Sequence, residues 1–416
     1  MIARDALPSF TTLRTALHLT TERLARELVQ PSGGAPDWSD LEWSVARAAA
    51  AMQGIAALLA ISLRWKGPAA WEDFLGEQLE QSARRYERIG WVLARIDAAA
   101  RRHGVPVVAL KGAALREFNL QRVPGERPMG DIDLLARPEQ LEVVARALQS
   151  IGYEFSYASR RHQTFKTPQP VSATGFGERA LNPIPIEVHT VVAEALPFSA
   201  VDITARLWPA ETDCGIHHYS SNGALLCHLL LHCAGNMRAH ALRLSQLRDV
   251  AQLSARLTTA DWQEFLGAGP RTDLWWIYPP LALSARYFPG RIPAEIVALA
   301  RRNCPALLRR AADRQDLTAV SWSNLRIDAF PGIEWSRAPL EALRYAKSRF
   351  APSKVALDDL EYSSKTLPQL RTVPWYGQRH ATRILRWLFT RPPRVQTISS
   401  VLEALSAQPR RDRAAL

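Results

Sequence analysis

Two aspartates one residue apart, Asp131 and Asp133, stand in the run Gly130-Asp-Ile-Asp-Leu-Leu135. Successive side chains of a strand point to opposite faces, so the two carboxylates share one face while Ile132 and Leu134 share the other. Like charges held this close repel and drive one pKa upward, unless a cation sits between them or one acid keeps its proton. Magnesium, a hard ion that takes carboxylate oxygens and substrate phosphates together, suits such a pair. An isolated Asp-x-Asp more often decorates the solvent side of an edge strand. Here the context argues against decoration: aspartate is depleted in strands, yet the pair runs straight into Leu134-Leu135, the pattern of a buried strand entering a polar pocket. A third acid follows in Ile184-Pro-Ile-Glu-Val-His189, where Glu187 and His189 alternate onto one face. If the two runs lie side by side, Glu187 completes a three-carboxylate cluster.

The elements that must position these acids are legible around them. Val105 to Leu110 reads as an apolar strand, Lys111-Gly112 as a turn, the next residues as a short helix, and the polar loop that follows carries Arg127. Taken together, Leu110-Lys-Gly-Ala-Ala-Leu115, Arg127-Pro-Met-Gly-Asp-Ile-Asp-Leu-Leu135 and Glu187-Val-His189 resemble the family of uncharacterised nucleotidyltransferases, within the DNA polymerase beta-like nucleotidyltransferase superfamily. The resemblance covers roughly residues 40 to 290, with its specific motifs in 105–137 and around Glu187. It implies an α+β fold, a small mixed sheet embedded in a mainly helical protein. It also implies an NTP substrate, ATP foremost, and two magnesium ions, or manganese in their place, on Asp131, Asp133 and Glu187. In the superfamily a Gly-Ser or Gly-Gly turn opens a helix near the phosphates; here Gly112 is followed by Ala113 and lies further from the aspartates.

The expected chemistry is transfer of a nucleoside monophosphate to a hydroxyl or phosphate, with loss of pyrophosphate. One ion would lower the pKa of the acceptor hydroxyl, the other would neutralise the leaving group. Glu187 would serve on the acceptor side as ligand or base. Lys111 and the amides at Gly112 would hold the triphosphate at a helix start, and Arg127 would add a forked contact. Along with His189, the resemblance places His232, Arg248 and Asp249 as residues facing the cleft, although a salt-bridged helix pair explains the last two equally well. The acceptor stays open among small molecules, peptides or proteins, and RNA ends. Two other readings stand beside catalysis: a nucleotide-binding regulatory module on the same fold, and a nucleic-acid-binding protein whose acids are incidental.

Composition narrows the setting. Of 416 residues, 47% are hydrophobic, which fits a globular chain with room for two or three domains. Lys plus Arg number 52 against 40 Asp plus Glu, and a field of that sign attracts phosphate-bearing partners. Four scattered cysteines make no disulfide framework, no signal-peptide pattern opens the sequence, and the expected location is cytoplasmic. The most apolar run, Ala48 to Leu63, is flanked by Arg47 and Arg64 and suits a packed helix better than a membrane span.

In chain order, four regions are expected: helices over 1–102, the nucleotidyltransferase core over 103–195, helices lining a cleft over 196–300, and a helical C-terminal region with a basic tail over 301–416. Helices are expected at Thr11–Val29, at Asp40–Trp65 capped by Asp40, and at Ala69–Arg102, the last burying Leu75, Leu79, Tyr86, Ile89, Val92, Leu93 and Ile96 together with Trp71 and Trp91. A helix from Pro138 to Ser150 and strands at Tyr153–Tyr157, Thr164–Lys166 and Glu187 complete the core. Asn222 is expected to cap a helix to Gly235, and Ala239–Leu257 reads as another. His228 and His232, four apart beside Cys227 and Cys233, raise a zinc reading, but no second ligand pair lies nearby and packed polar groups explain them better. Between Glu361 and Glu403 the sequence has no acid, while Lys365, Arg371, Arg379, Arg383, Arg386, Arg391 and Arg394 gather among Trp375, Tyr376, Trp387 and Phe389. Nucleic acid, an anionic membrane and plain solvent are the three competing destinations for that cationic stripe.

Overall fold

A computed structural model describes residues 8–118, 123–159, 162–168, 177–210, 213–267, 274–352 and 379–406. Its organising element is a mixed six-stranded sheet built from β1 (Pro106–Ala109), β2 (Ile132–Leu135), β3 (Glu154–Ala158), β4 (His162–Lys166), β5 (Ile186–His189) and, after a small β6 (Ala193–Ala195) and β7 (Ala200–Asp202) hairpin, β8 (Gly215–His217). The order across the sheet is β3-β4-β5-β2-β1-β8. β2 runs parallel to β5 and antiparallel to β1, β8 runs parallel to β1, and β3, β4 and β5 run antiparallel in turn.

Both faces of this sheet are covered, which is why β1 and β2 are buried along their whole length and lack clean alternation. On one face Val107, Ala109, Ile132, Leu134, Ile186, Val188 and Phe165 pack on α4 (Ala69–Arg102) and α6 (Leu141–Gln149). On the other, Val108, Leu110 and Leu135 join a larger helical core. That core centres on α8 (Asn222–Arg238), α9 (Leu244–Ser254) and α11 (Tyr278–Tyr287). The acids of interest point to this second face, where they interrupt an otherwise apolar layer.

Before the sheet come α1 (Phe10–Val29), α2 (Asp40–Met52) and α3 (Ala56–Ser62). α2 begins with a reciprocal cap: Ser39 Oγ accepts from the Glu42 amide and the Glu42 carboxylate accepts from the Ser39 amide, so Ser39, not Asp40, is the cap. The expected single helix from Asp40 to Trp65 is broken, and α2 and α3 meet at 111°. Gly54 makes the turn at φ +64°, where a Cβ would meet Ser245 Oγ at 2.9 Å. Gln53 fastens it: its Oε1 accepts from the Leu244 amide (2.9 Å) and its Nε2 donates to Ser321 Oγ (2.8 Å) and Ser323 Oγ (3.0 Å). Among the described residues no single helix is long and apolar enough to cross a membrane.

α5 (Lys111–Leu115) is short, and Pro138 opens a single 3-10 turn before α6 instead of the α-helix itself. α7 (Thr204–Leu207) precedes β8; Ser221, one residue before Asn222, caps α8 by accepting from the Ala224 amide at 3.0 Å. Beyond α9 the chain continues through α10 (Thr259–Gly267), α12 (Ala294–Asn303), α13 (Ala306–Arg314), α14 (Leu317–Val320), α15 (Pro339–Phe350), α16 (His380–Thr390) and α17 (Val395–Ser406). α17 returns to the N-terminal helices, burying Val401 and Ala404 against Leu13, Leu17 and Val45.

Candidate active site

Register brings the three acids together. Asp133 and Glu187 are partners across the parallel β2–β5 ladder, so their side chains leave the same face side by side, with Asp131 just before β2 on that face too. Asp133 is buried and charge-balanced: Lys111 Nζ lies 2.9 Å from its Oδ1, and His189 Nε2 lies 2.9 Å from the same oxygen. Burial alone would raise the Asp133 pKa, but Lys111 and His189 outweigh it and hold the carboxyl well below its ordinary range. The other two acids move the opposite way. Burial, then the Asp133 charge, pushes Asp131 up; burial, then Asp133 and Asp131, pushes Glu187 up to about 7. Of the three carboxylates only Asp133 touches the Lys111 ammonium, while Asp131 and Glu187 feel its charge without a hydrogen bond to it.

Lys111 is fixed by unusual backbone. It adopts φ +48°, a left-handed conformation that costs a non-glycine residue about 1–2 kcal/mol. Its amide donates to Tyr219 Oη (3.0 Å), and that oxygen lies 2.7 Å from His228 Nδ1. The Lys111 amide, the first of α5, is therefore spent inside the protein. Burial tends to lower the Lys111 pKa, but Asp133 and Asp131 more than reverse this and the group stays a cation. Gly112 is needed for packing: a Cβ there would stand 2.8 Å from Arg127 Nη1 and 2.9 Å from Met129 Sδ.

Arg127 is not a free phosphate fork. It grips Asp249 of α9 with Nε 2.9 and 2.8 Å from the two carboxylate oxygens and Nη2 2.7 Å from Oδ2. The adjacent Arg248 pairs with the buried Glu126. Arg248 and Asp249 are thus salt-bridged to the loop ahead of β2 and not to each other. His232 lies close enough to feel the Lys111 and Asp133 charges, and burial, then Lys111, lowers its pKa to about 3. It is a neutral ring whose Nε2 accepts from Gln246 Nε2 at 2.8 Å, with Asn236 Nδ2 at 3.1 Å. With His228 turned to Tyr219 and Cys227 and Cys233 buried without a disulfide, these four do not converge as a zinc site.

Two contributors lay outside the sequence reading. His162 opens β4 directly across from His189, ring centroids 5.0 Å apart, with its Nε2 3.6 Å from Glu187 Oε2. Strand alternation over His162-Gln-Thr-Phe-Lys166 carries that signal, and β4 extends two residues further towards the N-terminus than the expected Thr164–Lys166. Arg85 was hidden more deeply. It lies mid-way along α4, where the buried face turns polar as Gln78, Ser82 and Arg85. Its guanidinium donates to the carbonyls of Met129 (2.7 Å) and Gly130 (2.5 Å), just ahead of Asp131, and to those of Asn182 (3.0 Å) and Pro183 (3.2 Å), just ahead of β5. Trp91, expected in the core, is instead 62% exposed with Arg95 stacked over it.

A cavity of about 420 Å³ is lined by Pro128, three residues before Asp131, and by Ser82, Glu178, Arg243, Trp322, Ser399 and Glu403 among others. The Arg243 charge acts on Asp131 and the Asp131 charge on Glu178, whose pKa is raised chiefly by burial. Cavity and acids therefore share one electrostatic neighbourhood.

A family model described as "Uncharacterised nucleotidyltransferase" matches residues 39–278, more than half of the chain. The chain belongs to that family. No curated protein and no solved structure matches it. The uncharacterised nucleotidyltransferase region spans α2 to the start of α11 and so includes every residue placed around Asp133 above, Arg85 and His162 among them.

Proposed function

We propose that this protein moves a nucleoside monophosphate from an NTP, ATP foremost, to a hydroxyl or phosphate of an acceptor, releasing pyrophosphate. The observation that carries the proposal is the ladder register that sets Glu187 beside Asp133, with Asp131 on the same face. The residues fit divalent ions. Burial, then mutual repulsion, raises the pKa values of Asp131 and Glu187, strain that a bound cation would relieve, and all three groups are hard oxygen donors. Asp131 and Asp133 would hold magnesium, with Glu187 as a further ligand or as proton acceptor for the attacking hydroxyl. Bound ions would neutralise the triphosphate and ease deprotonation of the acceptor.

The chain's own groups then divide the remaining tasks. Lys111 supplies the cation facing the acids, and Arg243, which lines the cavity, supplies a second whose charge acts on Asp131. His232, neutral and held by Gln246, can hydrogen-bond without adding charge. The acceptor oxygen would form its bond to the α-phosphorus as the bond to the pyrophosphate oxygen breaks. The cavity favours a small hydroxylated acceptor, since its serines and an indole suit hydroxyls and ring faces.

The test uses NTP labelled in the α or the γ phosphate, with divalent ion and a cell extract fractionated by size. Label from the α position alone should enter a small acceptor, and Asp133→Asn should abolish it. Label that enters only from the γ position would mean phosphoryl transfer and refutes the reading, and no label under any condition refutes it in favour of a nucleotide-binding module.

A further inference from the structure

We propose that His162, Glu187 and His189 form a metal position with two nitrogen ligands, which selects a divalent ion of the manganese-to-zinc range over magnesium. The three side chains leave one face of adjacent strands, since His162 pairs with His189 and Thr164 with Glu187 across the β4–β5 ladder. Their ligand atoms all lie within 4.8 Å of one another. His162 Nε2 stands 3.6 Å and His189 Nε2 3.8 Å from Glu187 Oε2. Two ligands bound at about 2.1 Å to one ion lie roughly 3.0–3.4 Å apart at ordinary bond angles. Closing the triad thus takes less than about 1 Å per side chain, within rotamer adjustment.

The charge balance favours this set. Asp133 Oδ1, 2.9 Å from His189 Nε2, already borders the position and can complete it as a further oxygen ligand when the ion replaces that hydrogen bond. The cluster has an excess of carboxylate, so two neutral imidazoles add ligand atoms without adding repulsion. Imidazole is a poor partner for magnesium, which prefers oxygen, and a good one for manganese, cobalt and zinc. Side-chain exposures of 20% for His162, 25% for Glu187 and 12% for His189 leave an opening for a fourth, exchangeable ligand. On this assignment Glu187 is a ligand and not the base. The inference deepens the transfer reading, because Glu187 belongs to both, but its test reads binding and not turnover.

The full chain, freed of metal by chelator, is titrated with Co²⁺ in excess Mg²⁺ and without nucleotide. The wild type should give visible d–d bands saturating at about one Co²⁺ per chain, with Zn²⁺ competing and Mg²⁺ not. His162→Ala should weaken Co²⁺ binding by at least about tenfold while the metal-free far-UV spectrum and melting curve stay unchanged. His162→Cys should restore binding with a thiolate-to-metal charge-transfer band, which only direct ligation produces. Absent bands in the wild type, displacement by equimolar Mg²⁺, or unchanged affinity in His162→Ala overturns the assignment. A protein that binds Co²⁺ as expected but transfers no label would retain this site while losing the proposed reaction.

Discussion

Replacing Asp133 by asparagine removes the partner of the Lys111 ammonium and the His189 ring, both at 2.9 Å. A cation left unpaired in a mostly buried setting is costly, so Asp133→Asn should lower stability by about 3 kcal/mol. Asp131→Asn removes a carboxylate whose pKa is already pushed up, and should be neutral or stabilising by up to about 1 kcal/mol. Sequence alone suggested relief of repulsion in both; the ion pair separates them. Each variant should nevertheless lower nucleotidyl transfer by roughly 100-fold or more, so melting curves and label transfer together distinguish the two aspartates. Glu187 makes a pH prediction. It titrates near 7 in the fold against about 4.3 unfolded, so the native state binds the extra proton between those values. Its contribution favours folding below the unfolded value and is lost as pH rises through 7, whereas that of Asp133 is present above about 4 and is lost as pH falls. In metal-free protein the melting temperature should drop between pH 5.5 and 8, by roughly 2–4 °C from this group, and Glu187→Gln should flatten that slope.

At the scale of elements, the β1–α5–β2 unit and the Glu187 strand were legible because a local pattern specifies each: an apolar run, a glycine turn, two acids at strand spacing. What was not legible depends on partners far along the chain. Gly54 is the one local sign of the break between α2 and α3, and a weak one inside an apolar run; the turn is fixed by Gln53, whose side chain bonds to residues around 244 and 321–323. Arg85 carries no local signal, since its partners are five carbonyls from two distant loops. Arg85→Lys keeps the charge but loses the fork, so it should lower stability by roughly 2–4 kcal/mol through carbonyls left unbonded. It should also lower kcat more than it raises KM for NTP, because Lys111 keeps its contact to Asp133. An unchanged kcat with a fully folded protein would show that the loops hold their positions without it.

At the scale of the whole molecule, the basic C-terminal segment is less a cationic stripe than a strap. Lys365, Arg371, Trp375 and Tyr376 lie outside the described residues, but Arg383 is buried near Trp387, and Arg394 donates to the Ala239 carbonyl (3.0 Å) beside Trp322. Only Arg379, Arg386 and Arg391 of the described arginines in the segment are exposed. Arg47 donates to the Ala404 carbonyl at 2.9 Å, tying the end of α17 to α2. Truncation before His380 should therefore lower the melting temperature by several degrees and increase binding of a hydrophobic dye, because Leu13, Leu17 and Val45 lose their cover. A truncated protein with unchanged melting but lost oligonucleotide or liposome binding would return the segment to a recruiting role.

The single guanidinium of Arg85 has a bearing on how such a site can change over generations. Two loops of different length and composition, one before each acid-bearing strand, converge on five donors of one side chain. Either loop can drift in sequence without disturbing the other, provided its carbonyls still arrive there, since backbone oxygens are supplied by every residue type. The walls of the neighbouring cavity are under no such tie through α17, which contributes side chains. On the proposed transfer reaction, a change of acceptor would therefore disturb less than a change at the acids, which requires position 85 and both loops to change together.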